Sequence, residues 1–246
     1  YPDLPKIGYV HMLQSQGLLH DTYYYGVDAK QFVPTFMYPT EIMDGAIVSG
    51  NCVAPCDKVT TYHHLHNPVI EDCFKHHRKD INFMGVILTN ENVFLADKER
   101  HSDMVAKLAE WMQLDGVLIT EEGYGNPDTD YIRCIVALED VGVKVVGISN
   151  ECTGRDGASQ PLVVLDEKAD ALVSTGNVSE MIELPAAKKV IGELQSLARD
   201  GLSGGWADDE ILGPSVRKDG SIIMENNAMF CGDAIAGWSI KTMKEF

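Results

Sequence analysis

Apolar residues along this chain come in short runs, each closed by a polar turn and most followed by a stretch with helical spacing. "KIGYVHML" (Lys6–Leu13), "GAIVS" (Gly45–Ser49), "INFMGVILT" (Ile81–Thr89), "GVLIT" (Gly116–Thr120), "KVVGIS" (Lys144–Ser149) and "ADALVST" (Ala169–Thr175) read as strands. "QFVPTFMYP" reads as an irregular strand interrupted by Pro34. Pro68–His77 opens with proline at a first helical position. Ala96–Leu114 places Met104, Val105, Leu108 and Met112 at the helical period. Asp128–Gly142 is a third helix, with Asp128 as N-cap and Gly142 at its stop. "SEMIELPAAKKVIGELQSL" reads as helical on both sides of Pro185, which breaks or kinks it.

Strands alternating with amphipathic helices predict an α/β fold: a mostly parallel, Rossmann-like sheet with helices on both faces. From about Leu202 the pattern changes to the turn-rich "SGGW", "GPSVRKDGS" and "CGDAIAG". An irregular C-terminal extension is expected there, with a short strand near Ser221–Met224.

Right-handed crossovers put the carboxyl ends of parallel strands on one edge, where ligands bind in open sheets. Five runs end in polar residues: "AIVS" in Gly50-Asn51-Cys52, "GVIL" in Thr89-Asn90-Glu91-Asn92, "GVLI" in Thr120-Glu121-Glu122-Gly123, "VVGI" in Ser149-Asn150-Glu151 and "ALVS" in Thr175-Gly176-Asn177. Each taken singly is a turn that ends a strand. Together on one edge they predict a ligand crevice with Cys52 at its rim. "GRDGAS" adds Arg155, whose guanidinium fork suits a substrate carboxylate, or simply a surface turn with an Arg–Asp contact. "NENVFLADKER" places Lys98 and Arg100 on what reads as a solvated helix face.

The chain has 246 residues with a formal net charge of −17, which disfavours nucleic acid and anionic membrane surfaces as partners. No apolar run is long enough to span a bilayer. Six scattered cysteines do not form a disulfide framework, so a reducing cytoplasm is expected. Starting at Tyr1, the chain reads as a processed product or a piece of a longer precursor. There is no GxGxxG after the first strand and no P-loop, so no nucleotide is expected. Cys52 and Cys56, with His63, His64, His66, His76 and His77, lack the paired spacing of a zinc site, so no metal is expected either. A histidine near the strand edge can serve in substrate binding or proton transfer, and His63 or His64 is the better placed.

Asn51-Cys52 admits three readings: a partly buried thiol, a redox or metal ligand, or a peptide bond that breaks. In the third, the thiol attacks the Asn51 carbonyl to give a thioester. Loss of the Cys52 Cα proton then expels the thiocarboxylate and leaves dehydroalanine, which tautomerises to an imine; water hydrolyses it to a pyruvoyl group with loss of ammonia. That needs an ionisable thiol, a bent peptide and oxyanion donors. Gly50 supplies the backbone freedom. Cyclisation of Asn51 would also break the bond but would leave an ordinary cysteine.

Longer blocks carry a resemblance: "GYVHMLQSQGLLHDTYYYGVDA", "PTEIMDGAIVSGNCVAPCDK", "TTYHHLHNPVIED", "TNENVFLADKER", "EEGYGNPDTD" and "GRDGASQ". Together they resemble the component B proprotein of the glycine, sarcosine and betaine reductases, and more distantly that of D-proline reductase. The resemblance implies self-cleavage at Asn51-Cys52 and a pyruvoyl group made from Cys52. Residues 1–51 would then be the tail of the beta piece, 52–201 the main α/β domain of the alpha piece, and 202–246 its extension. The implied reaction is reductive cleavage of the C–N bond of glycine or an N-methylated relative. The implied partners are the beta piece, a selenocysteine-containing subunit of component B, selenoprotein A and a small amine substrate.

On that reading Cys52, Asn51, Glu121, Glu122 and His63 carry catalysis, and Asn90, Glu91, Asn150, Arg155 and Asn177 bind substrate. The alternative is an amino-acid-like binding module with an unprocessed Cys52.

Overall fold

The computed structural model describes residues 1–16, 21–50, 58–151, 153–160, 162–189 and 215–225. Asn51 and Cys52, most of the expected C-terminal extension and the helix expected beyond Lys189 lie outside the described residues.

The strands are β1 (Lys6–Gln14), β2 (Thr22–Tyr24), β3 (Val27–Asp28), β4 (Thr35–Met37), β5 (Ile47–Ser49), β6 (Asn82–Glu91), β7 (Gly116–Thr120), β8 (Lys144–Glu151), β9 (Leu172–Asn177), β10 (Met181–Leu184) and β11 (Ile222–Glu225). The α-helices are α1 (Pro39–Met43), α2 (Thr61–Leu65), α3 (Pro68–His76), α4 (Leu95–Trp111) and α5 (Asn126–Asp140). Six strands form the main sheet in the order β4-β6-β1-β7-β8-β9. All its pairings are parallel except that of β4 with β6. A largely parallel α/β sheet is therefore what the alternation of elements produces.

β1 is the central strand, and its near-continuous apolar run suits a strand buried on both faces. Its alternating side chains feed two cores. Val10 and Met12 pack with Val105 and Ala109 of α4 and Ile132, Ile135 and Leu138 of α5. Tyr9 and Leu13 pack on the other face with Ile42 of α1 and Val69, Ile70 and Cys73 of α3. The chain runs from β1 to β6 on one side, then crosses to β7, β8 and β9 on the other. Strand order thus reverses at β1, and the crevice of such a switch point opens between the carboxyl ends of β1 and β7.

Four expectations are corrected. β5 is not a strand of the parallel sheet; it closes a separate antiparallel sheet of order β3-β2-β5. A three-residue edge strand and a buried parallel strand both read as short apolar runs, so the run alone does not separate them. The fifth parallel strand end at the crevice belongs instead to β1, at Gln14, Ser15 and Gln16. Met181–Leu184 is not helical but pairs antiparallel with β11, a distant partner overriding local preference. The strand expected near Ser221 is that partner.

Asp128 is not the N-cap of α5. The helix starts at Asn126 behind Gly125, whose φ of +83° favours glycine, and the Asp128 carboxylate accepts from the Gly125 N–H at 2.7 Å. Lys98 is not on a solvated face: it is buried on α4 and pairs with Asp130 of α5. Asp130 also accepts from the Asn92 backbone, so the pair ties both helices to the β6 exit.

Candidate active site

The switch point holds three buried carboxyl groups, all following strands of the parallel sheet. Glu91 ends β6, and Glu121 and Glu122 follow β7. Glu122 Oε2 accepts from the Gln14 N–H of β1 at 2.7 Å, and its Oε1 accepts from the Val59 N–H at 3.0 Å. The Glu122 N–H in turn donates to Glu91 Oε1 at 2.8 Å. Ser15 Oγ donates to the Glu91 carbonyl at 2.7 Å. Glu121 Oε1 accepts from Ser149 Oγ at 2.6 Å. The second oxygens of Glu91 and Glu121, like Gln14 Oε1, have no hydrogen-bond partner among the described residues.

Burial is the first cause that raises all three acids. Glu91 is held well above the carboxylate range by burial and by the charges of Glu122, Glu121 and Asp130. Glu121 is held well above it by burial and by Asp128. Glu122 is pushed up only to about 7, because two backbone N–H donors and Lys58 offset its burial. It is the member of the trio placed to gain and lose a proton near neutral pH.

The other face of Glu122 meets histidine. The residues before Pro68 fold as α2, which buries His63 and His64. His64 Nε2 lies 3.8 Å from Glu122 Oε1 and has no hydrogen-bond partner among the described residues. His64 Nδ1 contacts His11 Nε2 of β1 at 3.1 Å. His11 Nδ1 reaches the Tyr9 hydroxyl at 2.8 Å, which also meets Thr120 Oγ1 at 2.6 Å and accepts from Asn67 Nδ2 at 3.3 Å. Burial lowers both rings, His11 to about 4 and His64 well below the usual range, so both are neutral. His63 points elsewhere, with Nδ1 at 2.7 Å from Thr60 Oγ1.

Both described flanks of segment 51–57 are anchored here. The Gly50 N–H donates to the Asp21 carbonyl at 3.0 Å, and Lys58, itself buried, pairs with the Asp21 carboxylate. A Cβ on Gly50 would lie 1.9 Å from Asp21 Oδ2, so a larger residue here would have to displace the carboxylate that pairs with Lys58. Val59, next to Lys58, binds Glu122.

The remaining candidates are spread out. Asn90 is buried, and its Nδ2 holds the carbonyl of Ala29 at 2.6 Å. Asn177 of β9 stitches the loop after β8, donating to the Gly154 carbonyl at 2.8 Å. Arg155 sits exposed on that loop. Asn150 lines a cleft of about 210 Å³ with Tyr131, Ser149 and Leu172, beside β8 and β9. Glu91, Glu121 and Glu122 come together, while Arg155, Asn150 and Asn177 gather on the β8–β9 side. Tyr9, His11, Asp21 and Lys58 escaped the reading of strand ends. A histidine inside the apolar run of a central strand was the signal for His11. Asp21 and Lys58 carry none. Among the described residues no three His, Cys, Asp or Glu side chains are arranged to hold a metal ion, and no helix is long and apolar enough to cross a membrane.

The family model for glycine/sarcosine/betaine reductase component B subunits matches residues 1–244. The chain is 56% identical over 245 residues to the betaine reductase complex component B subunit alpha of Peptoclostridium acidaminophilum, covering 99% of this chain and 55% of the relative. It is 69% identical over 194 residues to the sarcosine reductase complex component B subunit alpha of the same organism, covering 79% and 45%. It is 52% identical over 246 residues to the glycine reductase complex component B subunits alpha and beta of Acetoanaerobium sticklandii (strain ATCC 12662 / DSM 519 / JCM 1433 / CCUG 9281 / NCIMB 10654 / HF), covering 100% and 56%. A distant likeness, 27% over 159 residues, covering 60% of this chain and 25% of the relative, links it to the D-proline reductase proprotein PrdA of that strain. The chain spans about half the length of the component B relatives. No solved structure matches it.

Proposed function

Because this chain belongs to the family of glycine/sarcosine/betaine reductase component B subunits, we propose that it is the pyruvoyl-forming, amine-binding part of such a reductase. In this reading the chain breaks at Asn51-Cys52 and the new terminus at position 52 becomes a pyruvoyl group. The observation that carries it is the anchoring of both flanks of segment 51–57 beside Glu122, through Asp21, Lys58 and Val59.

The residues present fit such a group. Lys58 offers a buried ammonium, His64 Nε2 a buried nitrogen with no hydrogen-bond partner among the described residues, and Glu122 a carboxyl that titrates near neutrality. A pyruvoyl group supplies an electrophilic carbonyl that draws electrons from the C–N bond of a bound amine. Lys58 and His64 would hold its oxygen, and Glu122 would accept and return protons. Glu91 and Glu121, kept protonated, leave the site without three mutually repelling charges. Arg155 would take the substrate carboxylate, with Asn177 supporting its loop, Asn150 lining the neighbouring cleft and Asn90 bracing the β6 exit. The beta piece, a selenocysteine-containing subunit and selenoprotein A complete the proposed reaction, reductive C–N cleavage of glycine, sarcosine or betaine. Betaine has no N–H, so this amine logic covers only glycine and sarcosine.

Incubating the processed protein with labelled sarcosine and cyanoborohydride tests the amine reading. Label is expected on the fragment that starts at position 52, and Arg155→Ala should reduce it about tenfold. A fragment that carries a carbonyl but takes no label from glycine or sarcosine would overturn it.

A further inference from the structure

We propose that Tyr9, His11 and His64 form a buried hydrogen-bond chain whose two neutral tautomer arrangements match the two protonation states of Glu122, making the histidines positioning residues for the proton that Glu122 carries. This rests on the reading of Glu122 given above; it adds Tyr9 and His11, which have no role in that reading, and gives His64 a second task, facing Glu122.

The chain is continuous: Tyr9 hydroxyl, His11 Nδ1 at 2.8 Å, His11 Nε2 to His64 Nδ1 at 3.1 Å, and His64 Nε2 facing Glu122 Oε1 at 3.8 Å. It runs from the Thr120 end of β7, across β1, to α2, with Tyr9, His11 and His64 almost wholly buried. A buried donor or acceptor without a partner is costly, so a buried chain that must serve both an acid and its anion has to reverse direction. This chain can. With Glu122 ionised, the Tyr9 O–H donates to His11 Nδ1 and His11 Nε2–H donates to His64 Nδ1. His64 Nε2–H then faces the carboxylate. With Glu122 protonated, the acid proton faces a bare His64 Nε2 and His64 Nδ1–H donates to His11 Nε2. His11 Nδ1–H then donates to the Tyr9 oxygen, and Tyr9 O–H turns to Thr120 Oγ1, 2.6 Å away. The two arrangements differ by one proton on Glu122 and by the tautomer of both rings. A side-chain approach of about 1 Å converts the 3.8 Å contact into a hydrogen bond.

Among the described residues, the other titratable and charged groups around this chain are Lys58, Asp21, Glu91, Glu121, His63 and Cys73. Lys58 and Asp21 are paired with each other beside Glu122. Glu91 and Glu121 are held protonated well above their usual range. Burial lowers His63 beside His64, and it raises the Cys73 thiol near Tyr9 to about 12.

The test is nitrogen NMR of histidine-labelled full chain between pH 5.5 and 9, with and without Glu122→Gln. The expected result is a switch of His11 and His64 between neutral tautomers with one shared midpoint near 7, absent in the variant. Rings that become imidazolium with separate midpoints, or that do not change across this range, would overturn the proposal, and the parent chain alone decides this. If the parent chain never breaks at Asn51-Cys52, the functional reading fails while the spectra still decide the relay. Where it does break, His64→Phe should move the pH midpoint of cleavage by more than about half a unit. A uniform loss of rate with an unmoved midpoint would mean a structural role only and would count against the relay.

Discussion

Replacing Cys52 with alanine is expected to leave the chain as one unbroken polypeptide with no carbonyl at position 52, whatever the incubation time or pH. The reason is chemical. In the cleavage proposed here the sulfur is first the nucleophile that takes the Asn51 acyl group. It is then part of the leaving group that departs when the Cα proton is lost. Alanine supplies neither, so both steps vanish together and the effect is a full loss. The substitution removes one sulfur and leaves the anchors of the segment in place: Gly50 on the Asp21 carbonyl and Val59 on Glu122. The folded core and its melting temperature should therefore be unchanged. Denaturing mass spectrometry of the purified variant reads the outcome. A Cys52→Ala chain that breaks at the same bond would assign the cleavage to Asn51 cyclisation or to a protease. A variant that stays whole but binds amine as well as its parent would support a binding module without a processed cysteine.

Glu122→Gln is expected to slow cleavage by about 10²- to 10⁴-fold, the usual contribution of a positioned acid–base group. The parent rate should rise with pH through about 7, since burial lifts the Glu122 carboxyl there and only its ionised form is a base. That rise should disappear in the variant. The substitution has a structural cost, because a carboxylate accepts from both the Gln14 and Val59 N–H groups. A glutamine amide can accept at only one end, and its NH₂ would then face a backbone N–H, which costs about 1–3 kcal/mol. The linkage runs the other way. A carboxyl whose folded pKa lies above its unfolded value binds more protons in the native state, so it costs stability as pH rises above the unfolded value near 4.5. At alkaline pH the variant regains part of what it loses in hydrogen bonding. A melting curve at two pH values separates the two effects, and a cleavage rate within threefold of the parent would remove Glu122 from the mechanism.

Much of the crevice could be read directly because parallel strands are apolar throughout and end abruptly. Glu91, Glu121 and Glu122 stood out as polar residues following apolar runs, and the doubly wound sheet brings them to one switch point. What the runs could not tell was which strand belongs to which sheet. β5 and β7 look alike in sequence, yet β5 pairs antiparallel with β2, while β1 supplies the end assigned to β5. Pairing is a contact between distant residues and leaves no local mark. The same holds for Lys98, whose burial depends on Asp130 one helix away, and for Asp21 and Lys58, which meet across a separation of 37 residues. His11 had a local mark: a histidine amid apolar neighbours on a central strand needs a polar partner, and His64 supplies it.

The central claim is that position 52 carries a carbonyl made from its own cysteine. Intact mass of the purified protein under denaturing conditions, before and after treatment with a hydrazine, tests it most directly. Two pieces divided between Asn51 and Cys52, with the hydrazone mass appearing only on residues 52–246, is the predicted result. One continuous chain that gains no mass from the reagent would contradict it.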